Sequence, residues 1–237
     1  MSVTNTCLVV SLGVLEYQAA YDLQRRTHAL VAARKMPDVL LLLEHPHVYT
    51  LGRRGKQSDI LASSDTLRRL NAETHFTDRG GEATYHGPGQ LVGYPIINLR
   101  RWGGGVRDYV ETLERTLISS LNEYGIVAHS EGKPTGVWVE DAKIAAIGVH
   151  VSRSVTTHGF ALNVCPDLSY FDHIVPCGMP GAQVTSMAQE LGRDVTVSNM
   201  LPVLTRVFGR KFGLAIEWSS LDAIQSAAAP TPTRIDP

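Results

Sequence analysis

Residues 39–43, Val-Leu-Leu-Leu-Leu, constrain the fold of this chain more than any other stretch. The run is too short for a typical helix, and a strand with one wet face would alternate polar and apolar side chains. It therefore predicts a central strand covered on both faces. Covering both faces of a sheet takes helices, and the chain supplies them. Over residues 16–33, Tyr17, Ala20, Tyr21, Leu23, Leu30 and Val31 fall near one side of a helix. Over residues 106–124 the apolar positions 106, 109, 110, 113, 117, 121 and 124 again keep helical spacing. Further strands are expected at 7–12, 47–51, 91–99 and 156–164. A hairpin is expected to join 136–139 to 143–152, and the extended stretch 74–85 is broken at 79–81. A capped helix fits 63–71, and helices dominate 182–212. Strands that come in runs, and also alternate with helices, predict an α/β chain of the α+β type. The expectation is a single domain with a central mixed β-sheet flanked by helices. A chain of 237 residues, 43% of them apolar, suits one such domain over 1–215. An Ala-, Pro- and Thr-rich tail, 216–237, is expected to be mobile.

Charge and composition narrow the function. A net charge of −1 argues against a dedicated nucleic-acid binder, whose affinity comes from neutralising phosphates. No stretch approaches the roughly 18 consecutive apolar residues of a membrane span. No basic region precedes the short apolar run near the N-terminus, so the expected location is the cytoplasm; an organelle matrix stays open if a leader has been removed. Cys7, Cys165 and Cys177 are widely spaced and form no CxxC pair, which fits free thiols in a reducing compartment. Cys7 lies in an apolar strand and Cys165 at a strand end, and both read as structural. Cys177 is different. It stands between Pro176 and Gly178, which deny it a regular helix or strand, so either a presented nucleophile or a structural thiol fits. The histidines include no His-x3-His or His-Glu-x-x-His pattern, so no metal site is expected. His86 and His158, each followed by a glycine, are weighed as residues lining a site.

The densest signal is Arg79-Gly-Gly-Glu-Ala-Thr-Tyr-His-Gly-Pro-Gly-Gln90. Its glycines let backbone approach a ligand closely, although composition alone favours a tight turn between strands. It is neither a P-loop nor a dinucleotide fingerprint. Lys143 opens the small, apolar strand Ile-Ala-Ala-Ile-Gly148. It is either a snorkelling surface charge or a partly buried ammonium able to stabilise a thiolate. At ~4 Å and an effective dielectric of ~20, that attraction is on the order of 4 kcal/mol before desolvation. A basic set, among it Arg53, Arg54, Lys56, Arg68, Arg69, Arg100, Arg101 and Arg107, could meet an acidic partner or sit in solvated loops.

Taken together, the motifs resemble the octanoyltransferase family, also called lipoyl(octanoyl) transferase or lipoate-protein ligase B. They are Leu42-Leu-Glu-His-Pro46, Tyr49-Thr-Leu-Gly52, the Arg79–Gln90 run, Gly93-Tyr-Pro95, Gly136-Val-Trp138, Lys143-Ile-Ala-Ala-Ile-Gly148, Thr157-His-Gly-Phe-Ala-Leu-Asn163 and Ile174-Val-Pro-Cys-Gly178. The resemblance implies a fold shared with biotin and lipoate protein ligases. It implies that Cys177 carries an acyl thioester and that Lys143 lowers its pKa. It implies a substrate site lined by Arg79, Gly80, Gly81, Glu82, Ala83, Thr84, Tyr85 and His86, by Ala146, Ile147 and Gly148, and by Gly159, Phe160 and Ala161. The small residues Ala145, Ala146 and Ala161 are expected to shape an apolar slot. The implied donor is octanoyl-acyl carrier protein, a phosphopantetheine thioester, with no other cofactor and no metal. The implied acceptors are lipoyl domains of 2-oxoacid dehydrogenases and the glycine cleavage H protein. An ATP-dependent lipoate or biotin ligase and a non-catalytic carrier-binding module are the alternatives.

Overall fold

Strands β1 (Thr6–Val14) and β2 (Asp38–Glu44) pair in parallel, which requires a crossover, and helix α1 (Tyr17–Ala32) provides it. The computed structural model describes residues 5–175 and 183–228. From β2 the chain leaves the main sheet for a small one. There β3 (Val48–Leu51) lies between β4 (Glu73–Phe76) and β5 (Ala83–His86), after α2 (Ser64–Arg69), which Ser63 caps by accepting from the Thr66 N–H. It returns with β6 (Gln90–Ile96), antiparallel to β2. Two helices follow, α3 (Leu99–Trp102) and α4 (Val106–Asn122), and then β7 (Val137–Val139), β8 (Ala142–Ser152) and β9 (Val155–Asn163). After α5 (Met187–Leu191) and α6 (Val197–Phe212) come β10 (Ala215–Trp218) and α7 (Leu221–Ala228).

The seven-stranded sheet has the order β10-β1-β2-β6-β9-β8-β7, and its pairs are both parallel and antiparallel. This is the expected mixed sheet with flanking helices. Strand β2 shows why its sequence is apolar without alternation. Leu40 and Leu42 enter the core beneath α4 and α6, whereas Val39, Leu41 and Leu43 enter the core beneath α1 and α7. Buried hydroxyls on α4 are satisfied within the helix, Thr112, Thr116 and Ser120 each donating to the carbonyl four residues back.

The domain boundary expected at 215 lies further on. β10 pairs in parallel with β1, and Ile224 of α7 is buried against the α1 core, so residues 216–228 are not a tail. Residues 229–237 are outside the described residues. Among the described residues, no helix is long and apolar enough to cross a membrane.

Candidate active site

The small sheet, the start of α1 and the strands β6, β8 and β9 enclose a cavity of about 510 Å³ of empty space, part of it open to solvent. The Arg79–His86 run supplies one wall through Arg79, Gly80, Gly81, Glu82, Ala83, Thr84 and His86. The opposite wall is Ala146, Ile147 and Gly148 on β8 with Gly159, Phe160 and Ala161 on β9. Both walls meet because the Gly80 N–H donates to the Val149 carbonyl at 3.0 Å, and because Gly148 has no side chain: a Cβ there would stand 3.0 Å from the Gly80 carbonyl oxygen.

Two expected lining residues lie elsewhere. Tyr85 is absent from the cavity: its hydroxyl is 2.8 Å from His47 Nδ1, and its ring packs against Tyr49, Tyr170 and Phe171 in the core of the small sheet. Ala145 packs into the α4–α6 core, on the other side of the sheet from the slot it was expected to shape.

Arg79 is only 8% exposed. Its guanidinium donates to the Thr50 carbonyl (2.7 Å), the Thr50 hydroxyl (2.9 Å), the Glu82 carbonyl (2.8 Å) and the Gly80 carbonyl (3.0 Å). The residue therefore braces the loop as well as lining the cavity. Gly52 makes this possible, since a Cβ there would meet the Gly81 carbonyl oxygen at 2.4 Å.

His86 and His158 line the cavity, His45 packs against His86, and burial lowers the pKa of all three. His45 donates from Nδ1 to the Leu15 carbonyl at 2.6 Å and accepts at Nε2 from the Tyr94 hydroxyl at 2.7 Å. Burial lowers its pKa to about 4. His86 donates from Nδ1 to the Gln90 Oε1 at 2.7 Å, and burial holds its pKa well below the usual imidazole value. From there Gln90 donates to Asn163 and Asn163 to the Thr185 carbonyl, so motif residues are chained through the interior. His158 is 2% exposed, with φ at +56°, and its Nε2 donates to Asp78 at 2.7 Å. Burial lowers the His158 pKa, while that hydrogen bond pulls the Asp78 carboxyl down to about 2. His158, weighed on sequence as a lining residue, lines the cavity. Tyr17 and Tyr94 line it too, and the sequence reading missed both.

Lys143 is 7% exposed, not a snorkelling surface charge. Its ammonium lies 4.7 Å from the centre of the Trp138 ring, a cation–π contact. Its backbone bridges the stretch that follows the Pro176–Gly178 motif: the Lys143 N–H donates to the Gln183 carbonyl at 2.9 Å, and the Thr185 N–H to the Lys143 carbonyl at 3.0 Å. On the near side of the motif, the Val175 N–H donates to the Asp59 carbonyl at 2.8 Å. Cys177 itself lies outside the described residues.

The other cysteines divide. Cys7 is fully buried, and burial drives its thiol pKa far up, in keeping with a structural role. Cys165, expected to be packing, is exposed; partial burial and the Glu44 and Asp194 carboxylates raise its pKa. Among the basic residues, Arg101 pairs with the fully buried Asp38 and so is structural, and Arg54 pairs with Glu82 at 2.8 Å. No group of three or more His, Cys, Asp or Glu side chains among the described residues is arranged to hold a metal ion.

A family profile described as the lipoyl protein ligase A/B catalytic domain matches residues 16–209. The chain belongs to that family. Among curated members, an octanoyltransferase of Solibacter usitatus is 52% identical over 209 residues, covering 87% of this chain and 93% of that protein. The mitochondrial octanoyltransferase LIP2 of Arabidopsis thaliana is 47% identical over 186 residues, covering 78% of this chain and 79% of that one. A crystal structure of lipoate-protein ligase A bound with ATP superposes with a TM-score of 0.71 at 15% identity, covering 95% of this chain and 93% of that one, and shows the shared fold.

Proposed function

We propose that this chain is an octanoyltransferase of protein lipoylation, moving octanoyl from a phosphopantetheine thioester on acyl carrier protein to a lysine of a lipoyl domain. The observation that carries the reading is the placement of the cavity on β8, the strand that also carries the buried Lys143 near its start. The rise of ~3.3 Å per residue along the strand sets Lys143 about 10 Å from Ala146 on the cavity wall. Burying an octanoyl tail there contributes about 0.8 kcal/mol per methylene.

In the proposed reaction the Cys177 thiolate attacks the acyl carbonyl of the donor, the carbon–sulfur bond to the carrier breaks, and the carrier leaves as a thiol. One thioester replaces another, so the step needs no nucleotide. Lys143 stabilises the thiolate by its charge. The acceptor amine then attacks the Cys177 thioester, an amide forms, and the amine's proton passes to Lys143, left neutral by protonating the departing carrier thiolate, or to the released Cys177. Backbone N–H groups beside the cysteine are the proposed donors to the oxyanion.

Mixing the protein with octanoyl carrier protein tests this. Wild type should gain a hydroxylamine-sensitive octanoyl mass that Cys177→Ser lacks, and Lys143→Ala should raise the pH midpoint of Cys177 alkylation. Normal turnover by Cys177→Ser would refute the covalent route. Acylation from free octanoate and ATP would indicate a ligase, and absence of any acyl mass a binding module.

A further inference from the structure

A second groove, of about 1190 Å³ and open to solvent, lies between α1 and the β8–β9 hairpin. Arg25 and Arg26 line it from α1 and Arg153 from the hairpin turn, with His28 and His150 among them. None of the three guanidiniums pairs with a carboxylate among the described residues, whereas Arg68, Arg101, Arg107, Arg115 and Arg206 each do. Two carboxylates line the groove as well: Asp22 accepts from Gln18, and Asp78 faces His158 and His150. The lining therefore sets three guanidiniums against two carboxylates, a net positive charge in a chain of net charge −1.

Arg153 is placed by built structure. It occupies the first position of a two-residue hairpin turn with φ at +49°, followed by Ser154 at +64°. Such turns favour Asn and Gly, so an arginine there is held against its backbone preference. The buried His28 braces it, donating from Nε2 to the Ser152 carbonyl at 3.0 Å and offering Nδ1 to the Arg153 guanidinium at 3.5 Å.

The groove and the acyl cavity share a wall. Asp78 borders the groove and Arg79 the cavity; on β8 Gly148 lines the cavity and His150 the groove, about 7 Å apart at the rise of a strand. Of the two substrates, the acceptor brings an amine, which three guanidiniums repel. The donor brings a phosphodiester on its pantetheine arm, anionic at every physiological pH.

We infer that this groove docks the acyl carrier, its arginines meeting the phosphodiester and the acidic carrier surface around it. The inference rests on the proposed acyl transfer. The test compares octanoyl carrier protein with S-octanoyl-N-acetylcysteamine, a neutral donor, in steady-state transfer to a lipoyl domain. The double variant Arg25→Glu/Arg26→Glu should lower kcat/KM for the carrier donor on the order of tenfold and flatten its salt dependence. Arg153→Asn, which tolerates positive φ, should act in the same direction. Both should leave the neutral donor and the acceptor KM at wild-type values. Equal losses with both donors, a changed acceptor KM, or loss confined to Arg53→Glu/Arg54→Glu would overturn the inference. A wild-type protein that uses neither donor would instead sink the acyl-transfer reading, and this inference with it.

Discussion

The three buried histidines make stability fall with acid in a window set by their own titration. His45 gives the magnitude. Its pKa is about 4 in the folded protein against 6.5 for an ordinary imidazole. Between those values the unfolded chain binds more protons than the folded one, so unfolding becomes easier as pH falls. At 1.36 kcal/mol per pKa unit, His45 alone contributes on the order of 3 kcal/mol, present above pH ~6.5 and lost by pH ~4. His86 and His158 are shifted in the same direction and add to the loss. Asp38, whose pKa burial raises, opposes it. Losing a few kcal/mol is a large share of the 5–15 kcal/mol typical of a domain. Urea unfolding from pH 7.5 down to 4.5 should show the midpoint dropping steeply below pH 6.5, and NMR should find the His45 ring untitrated at pH 5.5. A His45 midpoint near 6.5, or an unfolding free energy flat from pH 7 to 5, would refute the reasoning.

Three further outcomes follow from packing. Gly93→Ala puts a Cβ 2.1 Å from the Phe160 ring, which packs in the α4–α6 core; the ring must shift, so stability should fall by about 1–3 kcal/mol. Adding Phe160→Leu should recover part of the melting temperature, and no recovery would place the strain elsewhere. Arg79→Lys cannot reproduce the fan of bonds to Thr50, Gly80 and Glu82, and should cost about 2–4 kcal/mol in chemical denaturation. In folded Cys177→Ser protein, a thiol reagent should label Cys165, faster above pH 8, and reach Cys7 only after unfolding; rapid labelling of Cys7 in the native protein would contradict its burial.

What the sequence reveals of this fold follows the range of the interactions involved. The apolar run of β2 and the stripes of α1 and α4 are local patterns dictated by burial, and they are legible without knowing any partner. Strand β10 carries no such pattern: four residues on a sheet edge, with Glu217 and Trp218 exposed, are too few and too wet to show a period. Within the Arg79–Gln90 run the misplaced residue is Tyr85. Strand alternation sends Thr84 and His86 toward the cavity and Tyr85 into the core behind it, but that parity is unreadable until the start of β5 is known. Ala145 and Ala146 repeat the lesson, one step of register deciding between core and cavity. Tyr17 and Tyr94 were out of reach for a different reason. Tyr17 looks like any residue of an amphipathic stripe, and Tyr94 like any aromatic on a strand. They line the cavity because α1 crosses over the β6 and β9 face, while His45, itself turned inward at the end of β2, holds the Tyr94 hydroxyl in place. The catalytic proposal depends on a short motif, whereas the shape of its cavity depends on contacts between residues sixty or more positions apart, such as the bond from Tyr17 to Thr77 at 3.0 Å.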